Sequence, residues 1–118
     1  ANAEGAGEIP IRQLVRHALR LRPDRIVVGE VRGPEALDMV QALSTGHRGS
    51  MSTIHANGAI DALARLETLA AMAPEAVPHQ ALATLVRSAI DVVVFVDRVG
   101  GRRSVASIVE TPGLRGTT

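Results

Sequence analysis

Arg22-Pro23-Asp24-Arg25-Ile26-Val27-Val28-Gly29-Glu30-Val31-Arg32-Gly33 is the stretch on which the fold turns. Its unbroken β-branched run, Ile26-Val27-Val28, predicts a short strand buried on both faces, the pattern of a parallel sheet. The run ends on Gly29 and Glu30. Open α/β sheets bind ligands at the carboxyl ends of their strands, so the order of residues sets a carboxylate at a ligand edge. Pro23 stops whatever helix precedes the strand. Gly33-Pro34 opens the next one, with Pro34 at its first position and Glu35 and Asp38 favouring the positive end of the helix dipole.

Working outward, Ile11, Leu14, Val15, Ala18 and Leu19 recur at helical spacing and predict an amphipathic helix begun by Pro10. Its other face carries Arg12, Arg16 and Arg20, of which Arg16 and Arg20 read most simply as solvated. After the central stretch, Ala36, Leu37, Val40 and Leu43 are expected to face a core, and Ser44-Thr45-Gly46 to end that helix, with Gly46 as a left-handed cap. A short strand is expected over 50–54. Asn57 is expected to cap a third helix over roughly 59–72, with Leu63, Leu66 and Ala70 inward. Leu82, Leu85, Val86, Ala89 and Ile90 mark a fourth. A second apolar run, 92–96, predicts another strand buried on both faces, and Gly100-Gly101 a hairpin turn into 104–109. Helices alternating with apolar strands make the expected fold class α/β, with a mostly parallel sheet, flanking helices and a C-terminal hairpin.

Composition narrows the functions open to the chain. At 118 residues and 46% apolar it can build one core, which must be aliphatic because Phe95 is its single aromatic residue. The absence of cysteine excludes a disulfide framework and thiolate metal sites. A net charge of +1, with no aromatic platform for bases, argues against nucleic acid as a partner. No stretch of the sequence approaches the roughly 20 apolar residues of a membrane span, and the opening residues lack a signal-peptide pattern. With no initiating Met, and with Ala1 to Gly7 reading as the interior of a loop, the chain is expected to be an excised fragment.

The chemistry follows from two clusters. Hydrolysis of a phosphoanhydride needs an acceptor that orients water in line with the terminal phosphate. Glu30, at a strand end behind the small Gly29, suits that task, and the layout is that of a Walker B strand. The second cluster is Thr45-Gly46-His47-Arg48-Gly49-Ser50-Met51-Ser52-Thr53-Ile54-His55-Ala56-Asn57. Its strand lies one helix after the first, so a right-handed crossover sets the two side by side and brings His55 to the same edge as Glu30. A zinc site is not indicated, because His47 and His55 lack the i, i+4 spacing and no cysteine accompanies them. Arg25 and Arg32 flank the first strand, where an arginine can neutralise charge on phosphate. The phosphate-cradling pattern G-x-x-x-x-G-K-[ST] is nowhere in the chain, and all thirteen basic residues are arginine.

Taken together, these motifs resemble the secretion ATPase superfamily of type II and type IV secretion and of type IV and tight-adherence (Flp) pili. R-P-D-R-I-V-V-G-E-V-R-G is similar to its Walker B box, and T-G-H-R-G-S-M-S-T-I-H-A-N to its histidine box. E-G-x-G-E-I and I-R-Q-L-V-R-H-A-L-R resemble the lead-in, and A-L-x-R-L-E-T-L and S-A-I-D-V-V-V-F-V the later helix and strand, so that residues 4–110 are covered. The resemblance implies the C-terminal part of a RecA-like P-loop ATPase core over 1–110, with 111–118 a flexible tail. It implies ATP and Mg2+, a homo-hexamer, inner-membrane secretion or pilus platform proteins as partners, and a cytoplasmic position at the inner face of the membrane.

By position, the resemblance makes Glu30 and His55 catalytic. It assigns Gly29, Arg32, His47 and Thr53 to nucleotide binding, with Glu30 meeting the metal indirectly through water. Walker A, the acidic box and the family's N-terminal domain have no counterpart in this chain, and Pro10 stands where the family often has Thr or Ser. The expected role is a fragment of a hexameric ATP-hydrolysing motor that powers protein secretion or pilus assembly, inactive in isolation without Walker A. The alternative is a non-catalytic interaction module of a secretion system that retains the ATPase fold.

Overall fold

Helix α2, Glu35–Leu43, is the element against which the others pack in the computed structural model, which describes residues 9–47 and 49–111. Chain order is α1 (Ile11–Arg20), β1 (Val27–Val28), α2, β2 (Met51–Ser52), α3 (Ala59–Ala70), α4 (His79–Ala89), β3 (Val92–Val99) and β4 (Arg102–Glu110). Leu37 and Val40 of α2 and Leu82 and Val86 of α4 are fully buried. Leu63, Leu66 and Ala70 of α3 join them, as their helical spacing predicts. Ile26, Val28 and Val31 bring the first strand and its exit loop into the same aliphatic core.

The α/β architecture is as expected, and the described strands form two pairs. β1 and β2 are parallel, Val27 opposite Met51 and Val28 opposite Ser52, while β3 and β4 form an antiparallel hairpin with a bulge after Phe95. Gly100 (φ +58°) and Gly101 (φ +81°) make the two-residue turn between them, a backbone that other residues enter only with strain. Gly46 takes a positive φ just past α2, as its position suggests.

The expectation that both apolar strands are buried on two faces is corrected. Val27 is 65% exposed and its partner Met51 61%, because the helices cover only one face of the parallel pair among the described residues. In β3 the residues alternate: Val93 packs on the core, whereas Val92, Val94 and Val96 point outward with Ile108 and Val105 of β4. An apolar run is buried on both faces only where both faces have a covering layer. The cap of α3 is also corrected. The N-cap is Gly58, with no side-chain cap bond, and the Asn57 amide instead donates to Asp61 Oδ2 at 2.9 Å, an acid one turn inside the helix reaching back. Thr111, expected to begin a flexible tail, is fully buried and donates through its hydroxyl and its amide to the carbonyls of Ile90 and Asp91. Residues 112–118 lie outside the described residues.

Helix α1 docks on a face rotated from the expected one. Ile11 and Leu14 are exposed, and the docked residues are Arg12, Val15, Arg16 and Leu19. Arg16 is therefore not simply solvated. Arg12 and Arg16 both hold Asp38 of α2, at 2.6 and 3.0 Å, and both reach Glu75, in the loop after α3, at 2.5 and 3.0 Å. Asp38 is almost fully buried, and a carboxylate there requires such partners.

The Arg12 guanidinium holds the Glu75 carboxyl down to about 2, and the same contact raises Arg12 above its ordinary value. A depressed carboxyl contributes stability above its ordinary value of 4.5, and that contribution disappears as pH falls towards about 2. The urea midpoint of native protein is expected to fall through this window by more than that of Glu75→Gln. Parallel acid profiles for the two would show that Glu75 does not couple to folding.

Candidate active site at the carboxyl edge of the parallel strands

The parallel ladder sets the site. Met51 N–H donates to the Ile26 carbonyl at 3.0 Å, and Val31 N–H to the Thr53 carbonyl at 2.9 Å, so 53–55 runs beside 29–31. Ser50 Oγ accepts the Ile26 amide at 2.8 Å at the other end. Thr53 Oγ1 donates to the Gly29 carbonyl at 2.5 Å, a further tie between the two exits. These bonds bring His55 to Glu30, as the crossover rule predicts: His55 Nε2 lies 2.9 Å from Glu30 Oε2.

Glu30 is gripped on its other oxygen too. Arg32 Nη2 donates to Oε1 at 2.7 Å. The Arg32 contact, with a lesser contribution from His55, holds the Glu30 carboxyl below the usual carboxylate range, and Glu30 in turn raises Arg32. Glu30 is 24% exposed, against 75% for the Arg32 side chain and 85% for His55. The cluster is thus an anchored acid between two surface nitrogen donors.

Glu35 is the functional neighbour that sequence reasoning missed. Its buried carboxylate accepts the amides of Arg32 at 2.7 Å and of Gly33 at 3.1 Å through Oε2. The sequence points only to a dipole role, yet the missing Ser, Thr, Asp or Asn ahead of α2 was a signal that another acceptor had to serve its free amides.

His47 is not brought into this cluster. Its Nδ1 donates to the Ala42 carbonyl at 2.9 Å near the carboxyl end of α2, where it lines a shallow hollow with Arg16, Asp38 and Gln41. The nine residues of α2, about 13 Å at 1.5 Å per residue, lie between that end and the Glu30 loop. A histidine ahead of β2 lies at the opposite edge from one just past its end, so the fold does not bring His47 beside Glu30 and His55. Arg25 is likewise at the amino edge, with its guanidinium against Gly49.

The donors suit an anion beside a single base. A Cβ built on Gly29 meets nothing within 4 Å, so the surface next to Glu30 is open to a ligand's approach. Arg32 and His55 are phosphate-compatible donors, whereas the Thr53 hydroxyl proton is already given to the Gly29 carbonyl. Among the described residues no group of three or more His, Cys, Asp or Glu could hold a metal ion, so a magnesium ion here would depend on ligands beyond Glu30.

Comparison with known proteins identifies the family and a matching fold. The family model described as "Type II/IV secretion system protein" matches residues 1–102. The chain is 50% identical over 105 residues to a Mycobacterium tuberculosis protein named for conjugal transfer, covering 87% of this chain and 29% of that protein. It is 44% identical over 107 residues to the type IV secretion system protein PtlH of Bordetella pertussis, covering 86% and 32% respectively. The crystal structure of the VirB11 ATPase from the Brucella suis type IV secretion system superimposes with a TM-score of 0.83 at 28% identity, over 89% of this chain and 33% of that one. The chain thus spans about a third of the length of these relatives.

Removing Glu35 leaves two amides of the site loop without their acceptor. Glu35→Ala is expected to cost about 1–3 kcal/mol, the penalty of unsatisfied buried polar groups, and Glu35→Gln less, because its amide oxygen still accepts. Chemical denaturation of both variants checks this, and equal losses would remove the hydrogen-bonding explanation.

Proposed function

This chain belongs to the type II/IV secretion system protein family, and we propose that it is the Walker B and histidine-box part of an ATP-hydrolysing motor that drives protein secretion or pilus assembly. The observation that carries the reading is the contact between Glu30 and His55 at the carboxyl edge of two parallel strands, beside the open surface at Gly29. Glu30 acts as the base that draws a proton from the attacking water. His55, within hydrogen-bond reach, orients Glu30 and answers to the terminal phosphate. Thr53 locks the exits of the two strands together so that these groups keep their spacing.

The reading covers one half of a site. Phosphoryl transfer depends on positioning and on electrostatic stabilisation of the transferred group. With no lysine and no G-x-x-x-x-G-K-[ST] in this chain, the phosphate cradle belongs to other residues of the complete protein. Of this chain's residues Glu30 would face a bound Mg2+, indirectly and through water, and the ion would supply neutralisation of charge on the phosphates. A homo-hexamer at the cytoplasmic face of the inner membrane, working on secretion or pilus platform proteins, completes the proposal. Its footing here is the family membership. No helix among the described residues is long and apolar enough to cross a membrane.

In the complete protein, Glu30→Gln is expected to keep nucleotide binding and lower kcat on the order of a hundredfold or more, the usual loss on removing a positioned base. His55→Ala should also lower kcat, whereas His47→Ala should act on the unfolding midpoint through its lost bond to the end of α2. Near-native kcat for Glu30→Gln would reduce Glu30 to an ordinary strand-end acid. The 118-residue chain on its own is expected to release no phosphate from ATP, and turnover by the purified chain would refute the half-site assignment.

A further inference from the structure

The base proposed for ATP hydrolysis is not idle in the structure. Both oxygens of Glu30 are engaged, Oε1 by Arg32 Nη2 at 2.7 Å and Oε2 by His55 Nε2 at 2.9 Å. A carboxylate tied to a guanidinium is a weaker acceptor for a water proton. For hydrolysis one of these partners must withdraw.

Arg32 is built to be that partner. Its side chain is 75% exposed and, among the described residues, pairs with Glu30 alone. Its backbone, by contrast, is fixed. The Arg32 and Gly33 amides are held by buried Glu35, and the Val31 amide by the Thr53 carbonyl. The guanidinium can therefore swing about its own side-chain bonds while Glu30 and the loop stay in place. Beside Glu30 lies Gly29, where an added Cβ would meet nothing within 4 Å. A terminal phosphate carries more charge than a carboxylate and offers three oxygens to the guanidinium fork, so it competes well for an exposed arginine.

We propose that Arg32 is a latch that exchanges between two acceptors, the Glu30 carboxylate and the terminal phosphate of ATP, so that phosphate binding releases Glu30 for water. Arg32 is then both a phosphate contact and the residue that couples occupancy of the site to readiness of its base. An empty site keeps Glu30 engaged and a loaded one frees it. The assignment rests on the ATPase reading and adds a regulatory link within that site.

The latch makes a signed prediction about binding, apart from turnover. Breaking the Arg32–Glu30 pair opposes nucleotide binding, and Glu30→Gln removes that opposition. Affinity for a fluorescent non-hydrolysable ATP analogue is measured on the full-length protein as native, Glu30→Gln, Arg32→Ala and the double variant, with Arg32→Gln as a second replacement. Glu30→Gln is expected to tighten binding, and to do so about fivefold more with Arg32 present than without it, the scale of one exposed ion pair. If Arg32 merely shields Glu30 from the phosphate, the gain is larger when Arg32 is absent. A gain equal or larger in the Arg32→Ala and Arg32→Gln backgrounds, or no gain at all, overturns the latch. Native protein that binds the analogue but shows no such difference sinks the latch alone, while native protein that does not bind sinks the ATPase reading and the latch with it.

Discussion

The pairing of β1 with β2 is the constraint from which the site follows. Val27 faces Met51 and Val28 faces Ser52, and the ladder continues past both strand ends through the Val31–Thr53 bond. Because the strands are parallel, their carboxyl ends lie at one edge, and residues just beyond those ends become neighbours. A slip of one residue would turn Glu30 away from His55, since successive side chains alternate between faces. The register is held from both ends, by Ser50 on the Ile26 amide and by Thr53 on the Gly29 carbonyl. Small hydroxyl residues fit there because two backbones must come close enough to share them.

The helices turn this local geometry into a stable frame. α2 carries its apolar residues into α3 and α4 and also presents Asp38 to α1. That acid accounts for the way α1 sits. Burying a carboxylate costs more than leaving two aliphatic residues wet, so α1 turns Arg12 and Arg16 inward and leaves Ile11 and Leu14 exposed. At its other end α2 begins with Glu35, whose carboxylate folds the loop that carries Arg32. One helix thus links the ion cluster, the core and the site loop. The outward valines of β3 and the exposed Val27–Met51 pair are further apolar surfaces this frame leaves uncovered among the described residues.

Within the site the balance of charge is unusual for the base proposed above. Glu30 is an acid with its affinity for protons lowered by Arg32 and His55, while the base of a hydrolytic reaction must take one up. Two surface donors holding one anchored acid form an arrangement that an incoming anion can rearrange. This makes the Glu30–Arg32 contact more informative than a static ion pair on the surface, which contributes little to stability.

Local pattern alone was enough to place the elements and the edge. Apolar periodicity located all four described helices, Gly100-Gly101 located the hairpin turn, and Gly-Glu after a β-branched run placed an acid at a strand end. The lack of lysine by itself rules out a phosphate cradle of the G-x-x-x-x-G-K-[ST] kind within the chain. The side-by-side position of Glu30 and His55 was legible because crossover handedness is a general rule. Other features depended on residues far apart in sequence meeting in space. Asp38 and Glu75 chose the docked face of α1, from 22 to 63 positions away. The length of α2 separated His47 from the edge that His55 occupies. Which faces of the apolar strands were covered depended on how many layers packed on them, and sequence carries no count of layers. Local spacing dictates what a segment becomes, and only the packed structure decides what stands opposite each charged group.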